Sequence, residues 1–144
     1  GPWTFSMIFE KTDSTTGGSY DGLFYMSLTN RLKFQNDNQQ IYAAIGGTDQ
    51  RIFDYGSSLV DGVYHHYTFV RENNGNVLGY VDGVLKGTAD FSGDSFTQGG
   101  VPMRIGYNSQ FLQANVGPIL FYDKALSAGE VLSNYNQLKE RFGL

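Results

Sequence analysis

Apolar and polar positions alternate through most of the chain, and the clearest stretch is Val63–Lys86, VYHHYTFVRENNGNVLGYVDGVLK. In an extended Val63–Arg71, successive side chains leave opposite faces. Val63, His65, Tyr67, Phe69 and Arg71 then point one way, and Tyr64, His66, Thr68 and Val70 the other. The Asn-Asn-Gly-Asn run within Glu72–Asn76 suits a turn, because Asn and Gly tolerate positive φ. Val77–Val81 reads as a second strand. Asp82-Gly83 then closes a two-residue hairpin, since a type I′ turn needs positive φ at both central residues. Val84–Ala89 is the third strand. Three antiparallel strands with an apolar side are about the smallest sheet that holds together, so this meander is predicted to frame the rest.

Upstream, Trp3–Lys11 alternates as well. Trp3, Phe5, Met7 and Phe9 share one face, and Thr4, Ser6, Ile8 and Glu10 the other, which predicts a half-buried strand. Leu23–Thr29, Arg31–Gln35, Ile41–Ile45 and Arg51–Tyr55 read as short strands separated by turns. Downstream, Asp90–Gly100 is a loop with two apolar anchors, Phe91 and Phe96. Met103–Tyr107 reads as a strand, Asn108–Asn115 as a loop, and Val116–Asp123 as a strand. Pro118 lacks a ladder donor, which places that end at an edge or a bulge. The one convincing helix follows. Ser127 and Glu130 form a capping box; Val131, Tyr135, Leu138 and Phe142 recur on one helical face; Gly143 suits the position after the last turn. About ten short strands and one terminal helix predict an all-β fold, a two-sheet antiparallel jelly-roll sandwich with one C-terminal α-helix.

A chain of 144 residues is one domain on length grounds, with enough surface buried for a core that needs no staples. The expected domain is 3–144. Gly1-Pro2 has the form of a protease-cleavage scar, and the expectation is a domain excised from a longer protein. There is no cysteine, so disulfides are excluded. Aromatic residues make up 15% of the chain and glycine contributes 19 positions, a composition of short strands and tight turns. A net charge of -4 argues against nucleic acid as a partner, because phosphate tracking needs clustered Lys and Arg. No apolar run approaches the length of a membrane span.

Three segments carry a family resemblance. Asp61-Gly62-Val63-Tyr64-His65-His66-Tyr67-Thr68-Phe69 resembles the dG-x-WHH-v-a-v stretch of laminin-G-like domains, which belong to the concanavalin A-like jelly-roll superfamily. Leu78 to Gly87 is similar to that family's Y-V-[ND]-G hairpin. Met103-Arg104-Ile105-Gly106, followed by Gly117 to Leu126 and Glu130, is similar to its ending. Tyr64 stands where the family usually has Trp, and Gly117-Pro118-Ile119-Leu120 lacks the acidic pair usual before the final strand. The family often begins with one further strand before the segment matching Trp3–Lys11; here that strand is expected to be either trimmed away or replaced by a neighbouring element, which would leave the Pro118 edge open as an aggregation or assembly site. The C-terminal run from Phe121 is similar to the C-termini of tailed-phage virion proteins that carry this fold.

Candidate chemistry follows from residue types. His65 and His66 point to opposite faces and cannot share a metal; one of them is expected to be buried and hydrogen-bonded within the sandwich. Related jelly-roll glucanases place two acids on one strand, and no such spacing occurs here, so no enzyme activity is expected. The resemblance implies calcium as a candidate cofactor, since some of these domains hold the ion on the rim. The rim acids and amides are Asp49, Asp54, Asp94, Asn108 and Asn115, with Asp49, Asp54 and Asn108 the foremost ligands. Their alternative reading is solvated turn residues. Glycan binding is the default use of such a fold, and a sugar site wants an aromatic platform beside amides and charged groups. Tyr42, Arg51, Tyr55, Tyr107, Asn108 and Gln110 are of those types; each Tyr could equally be sheet surface or core. The expected function is therefore a non-catalytic binding module for carbohydrate at a cell or virus surface, hence extracellular or virion-borne. The alternative is a virion assembly domain that binds only protein, with homo-oligomers formed through the parent.

Overall fold

The structure is a computed structural model, and it describes residues 1–11, 20–27, 29–35, 39–55, 62–96, 102–106 and 114–144. In chain order the strands are β1 (Trp3–Lys11), β2 (Tyr20–Ser27), β3 (Asn30–Gln35), β4 (Gln40–Ile45), β5 (Thr48–Asp54), β6 (Tyr64–Arg71), β7 (Val77–Val81), β8 (Val84–Ala89) and β9 (Ala114–Tyr122). One helix, α1 (Ala128–Phe142), ends the chain. The strands form a five-stranded sheet, β8-β7-β6-β1-β9, and a four-stranded sheet, β2-β3-β4-β5. All neighbours are antiparallel. The fold is the expected two-sheet jelly-roll sandwich with a C-terminal helix.

Aromatic rings fill the space between the sheets. Phe9 of β1 stacks on Tyr67 of β6 at 4.1 Å, and Phe34 of β3 meets both edge-on, at 5.6 and 5.9 Å. Phe5 packs against Phe24 at 4.8 Å. Such pairs add about 0.5–1.5 kcal/mol each beyond the area they bury.

The meander folds as its sequence predicts. Asp82 and Gly83 have φ of 52° and 77°, and the Asp82 N–H donates to the His66 carbonyl at 2.9 Å. The Asp82 carboxylate also accepts the His66 backbone N–H at 2.9 Å and lies 2.7 Å from His65 Nδ1. A turn residue thus ties the hairpin back to the strand before it.

β1 departs from expectation. It is buried on both faces, Thr4, Ser6 and Ile8 included. The reason is a second apolar cluster on the outer side of the five-stranded sheet. There Val70, Tyr80, Leu126 and Val131 are buried together. Thr4 anchors this layer: its hydroxyl donates to the Lys124 carbonyl at 2.8 Å and accepts the Leu126 N–H at 3.0 Å.

The capping box on α1 is present, with Ser127 and Glu130 bonded reciprocally. The Lys124 ammonium, 2.7 Å from Glu130, and two hydrogen bonds from Ser127 hold the Glu130 carboxyl down at about 2. Val131 is fully buried, while Tyr135, Leu138 and Phe142 are half-buried. Gly143 closes the helix at φ 68°, donating to the Lys139 carbonyl at 2.8 Å.

The two flanks of the sandwich differ. At the β8 flank, β5 crosses close over β7 and β8 where Gly79 and Gly87 face each other. A Cβ on Gly79 would stand 2.6 Å from the Phe53 ring, and one on Gly87 would overlap the Ile52 carbonyl oxygen. At the opposite flank, β9 is an edge strand, and the β1–β9 register slips between Met7 and Phe9, opposite Gly117-Pro118. Pro118 therefore sits at both an edge and a bulge. Ile119 and Phe121 share the inward face of β9 with Met7 and Phe5 opposite, yet they are 37% and 47% exposed.

Met103–Tyr107 does not form the expected strand. In its place is an isolated bridge between Arg104 and Tyr25, with both backbone bonds at 2.9 Å. Tyr107 lies outside the described residues.

Candidate functional site

The outward face of the four-stranded sheet gathers polar, charged and aromatic side chains. The ladder fixes them in rows, because directly paired residues share a face. One row runs Arg104, Tyr25, Arg31, Ala44, Asp49. The next runs Gly22, Lys33, Tyr42, Arg51. A third runs Gln35, Gln40, Asp54. Leu32 and Phe34 of β3, with Ile41, Ala43 and Ile45 of β4, alternate with these positions and enter the core.

The middle row is the centre of the site. Tyr42 and Arg51 are direct cross-strand partners. The Lys33 ammonium sits 5.4 Å from the Tyr42 ring centre and 2.6 Å from Asp49 Oδ2. A cation over an aromatic face is worth about 0.5–2 kcal/mol, more as water is excluded, and Lys33 is 4% exposed. The Tyr42 hydroxyl donates to Gln40 Oε1 at 3.2 Å. Arg51 grips Asp54 with both carboxylate oxygens, at 2.9 and 3.1 Å, and that pair is open to solvent. The result is a half-buried ring with its polar tip fixed, and a charged rim beside it.

The structure sorts the sequence-predicted residues. Tyr42 and Arg51 are brought together. Tyr55 is not on the rim: it is 4% exposed, and its ring meets Phe34 edge-on at 4.9 Å inside the sandwich. Core packing takes both faces of that ring out of reach. Tyr107, Asn108 and Gln110 lie outside the described residues. Of the calcium candidates, Asn108 is likewise outside. Asp49 and Asp54 stand at opposite ends of β5, about 16 Å apart at the usual rise per residue. Each is held by a cation, Lys33 and Arg51 respectively. Asp94 accepts the Thr48 hydroxyl at 2.7 Å. Asn115 donates to Glu10 at 3.2 Å. Among the described residues no three His, Cys, Asp or Glu side chains gather as a metal site.

Sequence reasoning missed Tyr25, Arg31, Lys33 and Arg104. Alternation did place Arg31 and Lys33 opposite the apolar side of β3. Their meeting with Tyr42 and Tyr25 depends on strand register, which no local motif states.

The histidines do leave opposite faces, but the buried one lies under α1 and not within the sandwich as expected, because the helix covers that side of the sheet. His65 bonds Asp82 near the surface. His66 is fully buried on the outer side of the five-stranded sheet, between β1 and α1. Burial lowers its pKa to about 4, against the opposing pull of Asp82.

Residues 2–132 match the Laminin_G_3 family, described as the concanavalin A-like lectin/glucanases superfamily. The chain belongs to this family. Solved structures of similar fold include the receptor-binding domain of botulinum neurotoxin type G, with a TM-score of 0.70, 13% identity, and coverage of 95% of this chain and 38% of that one. A protein of Bacteroides ovatus proposed to bind carbohydrate matches with a TM-score of 0.75, 12% identity, and coverage of 91% and 40%. A structure of botulinum neurotoxin type C, whose cell entry depends on interaction with two ganglioside molecules, matches with a TM-score of 0.68, 13% identity, and coverage of 95% and 36%. The chain thus spans well under half the length of these matched chains. At such identities the likeness is one of fold. No protein with a curated description matches the chain by sequence. Among the described residues no helix is long and apolar enough to cross a membrane.

Proposed function

We propose that this Laminin_G_3 domain is a non-catalytic carbohydrate-binding module that works at a cell or virus surface. The observation that carries it is the Lys33–Tyr42–Arg51 row on the outward face of a lectin-type sandwich. Sugar C–H faces stack on an aromatic ring while hydroxyls pair with amides and charged groups, and this row offers both within one row of the ladder. Among the described residues the two acids on the face, Asp49 and Asp54, are each engaged by a cation, an arrangement that suits holding charge in place more than proton transfer. The carbohydrate and ganglioside binding named for the fold relatives supports the reading by analogy. Titration of the folded domain with a panel of polysaccharides tests it. Binding that Tyr42→Ala abolishes is the expected result; no binding to any polysaccharide would overturn it.

One observation favours a second reading, an assembly domain that binds protein, as in a virion. β9 is an edge strand without a charged residue, and Val116, Ile119 and Phe121 on it are exposed. Edges of this kind invite strand pairing. Sedimentation at rising concentration distinguishes the two: a monomer throughout removes self-assembly through this edge.

A further inference from the structure

α1 covers the outer side of the five-stranded sheet, lying over β6 and the Asp82-Gly83 turn. Val131 is its one fully buried residue. It joins Val70, Tyr80 and Leu126 in an apolar cluster separate from the core between the sheets. The stretch before the helix is pinned by Thr4, which bonds the Lys124 carbonyl and the Leu126 N–H. Lifting α1 therefore breaks the small cluster, leaves the large core intact and keeps the chain anchored as far as Leu126.

His66 lies fully buried under this cover. From β1 it meets the Ser6 hydroxyl at 2.5 Å and its cross-strand partner Ile8. From β6 it meets the Thr68 hydroxyl at 3.4 Å, and from α1 the parallel Tyr135 ring at 6.3 Å. β9 carries no charged residue. The acid of this layer is Asp82, and both its oxygens are engaged: Oδ1 accepts the His66 backbone N–H, and Oδ2 lies 2.7 Å from His65 Nδ1. Lys124 and Glu130, at the start of α1, pair with each other. The Lys139 ammonium stands 5.6 Å from the Tyr135 ring centre and adds positive charge to the helix side. Nδ1 of His66 is buried without a partner. An imidazolium carries N–H at both nitrogens, so its Nδ1–H would be a buried donor with no acceptor, on a charge with no carboxylate bonded to it. Both are costly.

We propose that α1 is an acid-released latch: protonation of His66 is accommodated by lifting the helix off the five-stranded sheet while the sandwich stays folded. Lifting gives the ring nitrogens water. Burial holds the docked imidazole at about 4 against the pull of Asp82, and in water it titrates near 6.5, so the lifted form gains on the docked one as pH falls through that window. The helix cap takes no part in the response, because Lys124 and Ser127 hold the Glu130 carboxyl down at about 2. Burial pushes the Tyr135 hydroxyl up, so it stays neutral. Once lifted, a helix of 15 residues is marginal in water and frays, baring Val70 and Tyr80.

Backbone hydrogen exchange of the intact chain at several pH values and low urea concentrations tests this, with rates corrected for intrinsic exchange. The amides from Val131 to Leu138 are expected to exchange through an opening with a lower free energy and a weaker urea dependence than the β3–β4 ladder. That opening should become about thirtyfold more frequent between pH 6.5 and 4.5. His66→Phe should abolish the pH dependence, and His65→Gln, which removes the other histidine of the chain, should keep it. Helix amides that exchange only together with the β3–β4 ladder would overturn the latch. So would a helix opening indifferent to pH, and both of these readouts use the unsubstituted chain. A pH dependence that persists in a folded His66→Phe, or vanishes in His65→Gln alone, would overturn it as well.

Discussion

Ser6 Oγ lies 2.5 Å from Nε2 of His66, and the imidazole ring lies parallel to the Tyr135 ring at 6.3 Å. Thr68 adds a longer contact at 3.4 Å, and Nδ1 has no partner. The layer between the sheet and α1 therefore contains a neutral imidazole.

That placement predicts an acid-sensitive fold. Asp82 favours the imidazolium, but desolvation outweighs it, and the folded pKa falls to about 4. An unfolded histidine takes its proton near pH 6.5. As pH falls from about 6.5 to about 4, the unfolded chain binds a proton that the folded chain refuses. The contribution of His66 is complete above that window and lost across it, a change of roughly 3 kcal/mol. Urea unfolding near pH 7, 5.5 and 4 measures it. A stability that does not fall across this range, or a slope that persists in His66→Phe, would contradict the prediction.

The proposed site predicts a separation of binding from stability. Arg51 and Asp54 form an exposed pair, worth under about 1 kcal/mol. Arg51→Ala is expected to leave the urea midpoint nearly unchanged while weakening glycan binding by about tenfold. Parallel chemical denaturation and calorimetric titration check both halves.

Thr4 predicts the opposite balance. Removing its hydroxyl leaves the Leu126 N–H, in a buried bond, without an acceptor. Thr4→Val keeps the shape and is expected to cost about 1–3 kcal/mol. Hydrogen exchange should show faster opening at Leu126 and through the first turn of α1, with the β3–β4 ladder unaffected.

Gly87 predicts a steric penalty. An added methyl group would overlap the Ile52 carbonyl oxygen, which is backbone and cannot swing aside. Gly87→Ala is expected to destabilise by roughly 2–3 kcal/mol, whereas Gly93→Ala, in open space, should be close to neutral. Comparison of their denaturation midpoints decides the point.

Most of the architecture was legible in the chain because it is written locally. The Asp82-Gly83 turn, the alternation of β6 and the Ser127–Glu130 box each specify their geometry within a few residues. The misreadings are all non-local. β1 looked half-buried because its outer face carries Thr4 and Ser6, and the residues that cover it lie more than a hundred positions away. Met103–Tyr107 alternates like a strand, yet a bridge at Arg104 alone ties it to β2. The placement of the candidate site was half legible for the same reason. Residue type suggested Tyr42 and Arg51, and register put them side by side. Tyr55 had the right type as well, but its position next to Phe34 sends its ring inward.

The bare backbone at Gly79 and Gly87 sets how closely the two layers can approach along one flank. The ring of Phe53 and the carbonyl of Ile52 occupy the volume that two methyl groups would otherwise fill. The spacing between the layers along this border is therefore written in what two residues lack, and any side chain there would have to pry β5 away from β7 and β8.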